Sequence, residues 1–292
     1  MRLSLFWMKF PISIIIPIYN EEKRIKNCLE HITNYCENQN WDYELIVVED
    51  GSKDQSTNIV NEYSNKNNNV RLVSLPKRVG KGGSLLEAIN HCRKPYVGFM
   101  DVDLAAHPSE FKRLIPLLKE FDLVIGSRIL RGDLPPIKRP IHRSLLSHLY
   151  LVCFKCLFKI EVHDLQCGFK LFKRESIQKI VPYIKTGGFA FDTEFIIAGY
   201  KLGLKINEVP INWIHGNGSK VNIGKTAFEM SKDLLKIWYS NFNSQLCNVN
   251  FQENNFIARP IILSKLLCKL LYKYSPKNIA KTHLLDGNIQ TK

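Results

Sequence analysis

Long hydrophobic runs are missing from this sequence, and acidic residues are in deficit. No apolar stretch approaches the roughly 20 residues that a membrane-spanning helix needs. The longest candidate, Leu145 to Ile160, carries His148, Lys155 and Lys159, so the chain is not expected to cross a membrane by itself. A secretory signal is also lacking, because Met1 to Phe10 is short and Pro11 interrupts it. The eight cysteines (28, 36, 92, 153, 156, 167, 247 and 268) form no disulfide framework. Cys153 and Cys156 have a metal-like spacing, but no second pair matches it, which argues against zinc. They fall in a helical apolar pattern and read as packing, with thiols reduced in a cytosolic compartment. No internal repeat is visible. Asp and Glu number 27 against 41 Lys and Arg, a net charge of +14. That excess favours an anionic partner: nucleic acid, an acidic membrane or a phosphorylated ligand.

What is present is an alternation of strands and helices. The 292 residues suffice for one large α/β domain or two small ones. Ile12 to Ile18 is a continuous β-branched run, suited to a central parallel strand covered on both faces. Asn20 then reads as an N-cap for a helix with apolar positions Ile25, Cys28, Leu29 and Ile32. A second strand, Tyr43 to Val48, ends in Glu49-Asp50-Gly51-Ser52, and a helix from about Asp54 to Tyr63 follows. Val70 to Leu75 is a third strand, and Gly80-Lys81-Gly82-Gly83 opens a helix. Tyr96 to Met100 is a short buried strand running into Asp101-Val102-Asp103. A helix from Pro108 to Leu118 and a strand Leu123 to Gly126, closing on Ser127-Arg128, complete this half. The pattern implies a mostly parallel sheet with crossover helices.

Ligands in such sheets sit beyond the carboxyl ends of the strands. Tyr19 to Glu21, Glu49 to Ser52, Asp101 to Asp103 and Arg128 all fall at such ends, which points to one shared site. Asp101 and Asp103 offer hard oxygen ligands that suit Mg²⁺ or Mn²⁺ shared with phosphates, although a plain acidic turn has the same sequence. Lys81, in a glycine-rich helix start, combines a cation with backbone N–H groups, both favourable to phosphate. An ordinary surface lysine is the alternative. Asp50 by itself reads as a turn aspartate before Gly51.

Further along, Gly132 to Pro140 is a loop, Ile141 to Phe158 a helix with a strongly apolar face, and Asp164 to Lys170 a polar turn into a short strand. Gly187 to Glu194 leads into a helix through Ile197 and Leu202. Ile206 to Ile214 reads as a strand, His215 to Lys220 as a loop, and Lys225 to Trp238 as the last helix of a body spanning residues 1–240. Residues 241–292 read as an Asn-rich linker and a tail. Leu266, Leu267, Leu270 and Leu271 stand beside a stripe of Lys265, Lys269, Lys273, Lys277 and Lys281, with Pro276 ending the helix near Tyr274. Such a helix lies in an anionic membrane interface or docks on the main domain with its basic side solvated.

With these residues placed, Pro11 to Trp238 resembles a family 2 glycosyltransferase of the GT-A fold. The resemblance is carried by Ile15-Ile16-Pro17-Ile18-Tyr19-Asn20-Glu21-Glu22, by Val47-Val48-Glu49-Asp50-Gly51-Ser52 and by Asp101-Val102-Asp103. Gly80 to Gly83, Gln166 to Phe172, Ala190-Phe191-Asp192 with Glu194, Val209 to Trp213 and Gly218-Ser219-Lys220 are similar to dolichyl-phosphate glucosyltransferases. Mannosyl relatives usually carry a metal-binding Gln where this chain has Ala105, which favours the glucosyl branch and leaves the third protein ligand open. Glucosyl relatives often begin with a membrane-spanning helix, which this sequence does not show.

The resemblance implies that Pro17, Tyr19 and Glu21 frame the base and ribose of a nucleotide sugar, UDP-glucose being favoured, and that Asp50 accepts a hydrogen bond from uracil or ribose. It implies Asp103 as the first metal ligand and Asp101 as a ribose or metal contact. His215 is a candidate further ligand, set against an ordinary packed or exposed histidine. Arg128, Arg143, Ser147 and Lys220 resemble the residues that grip the phosphate of a polyprenyl acceptor. Such a phosphate needs little deprotonation to attack, so Asp192 serves as base for a hydroxyl acceptor, and otherwise orients the sugar or the cations. The expected reaction is an inverting displacement on the cytoplasmic face of a membrane, the enzyme being held peripherally.

The rival enzymatic readings are transfer to a sugar hydroxyl and GDP-mannose-dependent transfer to a polyprenyl phosphate. A catalytically dead nucleotide-sugar sensor is a further reading. Nucleic acid, suggested by the charge, finds no motif, since the basic residues gather in the tail and the acceptor region. Deleting Asn255 to Lys292 is expected to weaken sedimentation with anionic liposomes while sparing activity on a soluble short-chain acceptor; unchanged sedimentation would contradict the membrane reading of the tail.

Overall fold

The structure is a computed structural model that describes residues 10–130, 141–214 and 223–243. The tail helix, His215 and Lys220 lie outside the described residues, as does the side chain of Arg143. A seven-stranded sheet has the order β3-β2-β1-β4-β6-β5-β7. The strands are β1 (Pro11–Ile18), β2 (Asp42–Glu49), β3 (Val70–Ser74), β4 (Tyr96–Phe99), β5 (Leu123–Ser127), β6 (Lys170–Lys173) and β7 (Ile206–Pro210). Neighbours pair in parallel except at β6, which runs antiparallel to both β4 and β5. The mostly parallel α/β architecture expected from the alternation is therefore what forms.

The helices are α1 (Ile25–Asn38), α2 (Ser56–Ser64), α3 (Gly80–Asn90), α4 (Ser109–Leu114), α5 (Ile141–Phe158), α6 (Arg174–Ile180), α7 (Phe191–Lys201) and α8 (Ile223–Asn243). They cover both faces of the sheet, which explains the unbroken apolar run of β1. Ile14, Ile16 and Ile18 pack with Ile25, Cys28, Leu29 and Ile32 of α1 on one side. Ile15, pointing the other way, packs with Leu85 and Ala88 of α3 and with Phe99. Among the described residues no helix is long and apolar enough to cross a membrane. The described cysteines are free thiols; Cys153 packs against the core and Cys156 is exposed.

Four local expectations are corrected. The helix expected over Pro108 to Leu118 stops at Leu114 and tightens into a 3-10 turn, Ile115–Lys119, because Pro116 has no N–H for an α-helical bond. The strand expected to reach Ile214 ends at Pro210, and Trp213 makes only an isolated bridge to Ala106. The last helix runs past Trp238 into the stretch read as a linker. Asn20 does not cap α1, whose N-cap is Arg24. It takes a left-handed conformation (φ 55°) and bonds across to the loop after β2.

At the amino ends of the strands, Glu44 is buried among donors. Its Oε1 accepts from Ser13 Oγ and the Arg93 N–H (both 2.6 Å), and its Oε2 from Arg71 at 2.7 Å. Burial pushes the Glu44 carboxyl up, but Ser13, the Arg93 amide and Arg71 outweigh it, so it lies below its ordinary value. A depressed carboxyl contributes stability that is present at neutral pH and lost as pH falls through the folded value. Glu44→Gln is expected to lower stability by about 1–3 kcal/mol at pH 7, read as the midpoint of urea unfolding, with the deficit shrinking below about pH 4.

Candidate active site

The loops that leave the carboxyl ends of the strands bind to one another. After β1 and β2 they interlock: the Asn20 N–H donates to Ser52 Oγ (2.9 Å), Lys53 N–H to Asn20 Oδ1 (2.7 Å) and Glu21 N–H to Ser56 Oγ (2.7 Å). The Glu21 carboxylate is held by both forks of Arg24, at 2.6 and 2.7 Å. Asp50, 4% exposed, accepts the N–H groups of Val79 (2.7 Å) and Gly80 (2.9 Å) and so fastens the start of α3. Arg78 lies over the ring of Tyr19 at 3.8 Å, with its Nε 4.0 Å from Asp50. Tyr19, Asp50 and Arg78 are thus one cluster. Sequence reading missed Arg78, whose only signal is a cation just before the glycine-rich helix start.

The glycines of α3 do not present free amides to a phosphate, which corrects the expectation for this helix start. The Gly80 N–H is taken by Asp50, and those of Gly82 and Gly83 donate to the Gly187 carbonyl at 2.9 and 3.2 Å. Their small size serves close packing instead. A Cβ on Gly82 would lie 2.5 Å from the Phe191 Cβ and 2.8 Å from the Thr186 carbonyl oxygen, and Gly80 has φ +86°. Glu194 secures the opposing loop by accepting the N–H groups of Thr186 (2.7 Å) and Lys185 (3.0 Å).

The side chain of Lys81 reaches the acidic end of β4. Its Nζ donates to Asp101 Oδ1 at 2.6 Å. Burial would lower the ammonium, but Asp101 and Asp192 outweigh it and push it up to about 12. The converse holds for Asp101, which burial would raise but which Lys81, Arg128 and Lys170 keep below the usual carboxylate range. Pro17, Lys81, Leu85, Phe99, Met100, Asp101, Gly168 and Asp192 line one narrow crevice. Asp192, in the first turn of α7, is bound by Lys170 at 2.6 Å.

Asp103, half-buried, accepts the Ala105 N–H at 3.1 Å. Its carboxyl is pushed up by burial and by the charge of Asp101. Two neighbouring carboxylates of which one is disfavoured as an anion, both hard oxygen donors, fit a Mg²⁺ or Mn²⁺ ion. Among the described residues no third histidine, cysteine or carboxylate joins them in a metal-binding group. The Ile214 N–H donates to the Ala105 carbonyl at 2.7 Å, two residues from Asp103.

Arg128, after β5, is fixed by Asp164 through Nε and Nη2, each at 2.7 Å, and stands 5.1 Å above the Trp213 ring. Its charge acts on both Lys81 and Asp101. Ser147 is half-buried on α5. Pro17, Lys81, Asp101 and Asp192 therefore share the crevice, Tyr19 and Asp50 adjoin it through Gly80, and Asp103 and Arg128 flank it. Because the approach of α3 to residues 186–191 leaves no room for a methyl group, Gly82→Ala is expected to destabilise by about 1–3 kcal/mol, measured as a lower urea midpoint; an unchanged midpoint would contradict this packing.

The chain matches the family described as "Glycosyl transferase family 2" over residues 13–181. It is 32% identical over 240 residues to a dolichyl-phosphate beta-glucosyltransferase of Dictyostelium discoideum, covering 77% of this chain and 73% of that one. A Homo sapiens protein of the same name is 32% identical over 242 residues, with 77% and 74% covered. Among solved structures, glucosyl-3-phosphoglycerate synthase from Mycobacterium tuberculosis, in complex with Mn²⁺, UDP and glucosyl-3-phosphoglycerate, shares the fold at TM-score 0.62 and 21% identity, covering 79% of this chain and 80% of that one. With a family match over more than half its length and a carboxylate-lined crevice at the carboxyl rim of a GT-A sheet, this chain is a glycosyltransferase and belongs to glycosyl transferase family 2.

Proposed function

We propose that the chain moves glucose from UDP-glucose to the phosphate of a polyprenol such as dolichol, inverting the anomeric centre, with Mg²⁺ or Mn²⁺. The observation that carries this reading is the meeting of Lys81, Asp101 and Asp192 in one crevice, with Asp103 beside it, in a chain whose relatives are named dolichyl-phosphate beta-glucosyltransferases. Asp103, with Asp101, would hold the cation, and His215, outside the described residues, is the candidate further ligand. When bound, the cation would neutralise charge on the departing diphosphate. Lys81 adds a fixed positive charge beside it. Tyr19, Asp50 and Pro17 face the nucleoside, with Glu21 bracing their loop through Arg24.

On the acceptor side, Arg128 is oriented by Asp164, and Ser147 with Arg143 and Lys220 completes the expected phosphate contacts. A phosphate oxygen attacks without a strong base, so Asp192 orients the sugar instead of taking a proton. Leu146, Leu149, Val152 and Cys156 are exposed along one side of α5 at helical spacing, while Leu151 and Phe154 are buried. This apolar side supports contact with a prenyl chain and a peripheral position on a membrane, which the proposal puts on its cytoplasmic face.

The test is transfer of labelled sugar from UDP-glucose or GDP-mannose, with Mn²⁺, to a short polyprenyl phosphate or to free oligosaccharides. Label from UDP-glucose in the polyprenyl phosphate is expected; label only in oligosaccharide, or only from GDP-mannose, would reject the reading. Asp103→Ala should reduce turnover by at least about 100-fold with an unchanged melting temperature, and retained turnover would remove Asp103 from the metal site.

A further inference from the structure

Lys170 is the only fully buried lysine among the described residues, at 1% exposure. It opens β6, the strand that runs against the rest, so its residue stands at the rim where the other strands end. Its Nζ donates to the Cys167 carbonyl (2.6 Å) and to Asp192 Oδ1 (2.6 Å), and lies 3.5 Å from the Leu165 carbonyl. The ammonium has three protons, and these three acceptors account for them. Two come from the turn that seats Gly168 against Asp101, where a Cβ would lie 1.9 Å from Oδ2. The third is the carboxylate of Asp192, whose Oδ2 makes no hydrogen bond among the described residues although the side chain lines the crevice.

A buried lysine–carboxylate pair is a poor source of stability, because desolvation offsets most of the attraction and an apolar pair often serves as well. Its effect here is directional. We propose that Lys170 is a positioning residue for the donor sugar: by engaging Oδ1 it turns Oδ2 of Asp192 into the crevice, where that oxygen accepts a hydrogen bond from a sugar hydroxyl. The inference rests on the donor named above, not on the acceptor.

The test is calorimetric titration of the full chain with UDP-glucose and, separately, with UDP, both in Mn²⁺. Lys170→Met is expected to weaken UDP-glucose binding about tenfold and to leave UDP binding within about threefold. A general structural defect would weaken both alike. Asp192→Asn should show the same selective loss, and combining the two should add less than about twofold. Equal weakening of both ligands, no weakening, or additive losses would overturn the proposal. If Lys170→Met fails to fold, Lys170→Gln, which keeps a donor for the Cys167 carbonyl, carries the same titrations. A wild-type protein that binds neither ligand would overturn it as well. No acceptor is present, so an error in the polyprenyl phosphate assignment leaves these titrations unaffected.

Discussion

The salt bridge between Lys81 and Asp101, 2.6 Å long, joins the start of α3 to the end of β4, and the crevice is organised around it. With side-chain exposures of 25% and 30%, it falls between a surface pair worth ~0–1 kcal/mol and a buried one whose rupture costs ~3–5 kcal/mol. Its importance is accordingly less in stability than in charge placement. It fixes a cation and an anion side by side, with Arg128 close enough to act on both and Asp192 on Lys81. Asp103, two residues on, sits against a neighbour that stays ionised, which is the electrostatic setting that a divalent cation relieves.

The sheet makes this possible by reversing one strand. In an all-parallel sheet the rim receives only the loops that follow strands. Because β6 is antiparallel, the turn preceding it, Asp164 to Phe169, also reaches that rim. This short turn braces three of the site's charges: Asp164 clamps Arg128, Gly168 admits Asp101, and Lys170 at the strand's first position binds Asp192. Small, charged and buried side chains are used here for geometry, with the apolar clusters on the two faces of the sheet supplying the cohesion.

Much of this was legible in the sequence. The positions of Tyr19, Asp50, Asp101, Asp103 and Arg128 at strand ends follow from alternation and run length, which are local signals. Partner choice is not local. That Asp50 bonds the amides of Val79 and Gly80, that the α3 amides bond Gly187, and that Asn20 reaches Lys53 all depend on loops 29 or more residues apart finding each other. The glycines of α3 carry an ambiguous signal for the same reason, since a phosphate cradle and a tight helix contact both demand a missing side chain. Pro116 and Pro210 marked element ends in plain view, and the periodic apolar pattern around them masked that signal. Lys170 was visible only as part of a family resemblance, because burial of a lysine cannot be read from its neighbours in sequence.

The dication and the nucleotide diphosphate are proposed to meet at the carboxyl rim beside Lys81. A crystal structure of the chain soaked with MnCl₂ and UDP, with data collected for manganese anomalous scattering, tests it directly. The anomalous peak is expected against the Asp103 carboxylate and the diphosphate, with the uracil on the Tyr19 and Asp50 side. A manganese–UDP complex bound elsewhere, with Asp101 and Asp103 touching neither, would contradict it.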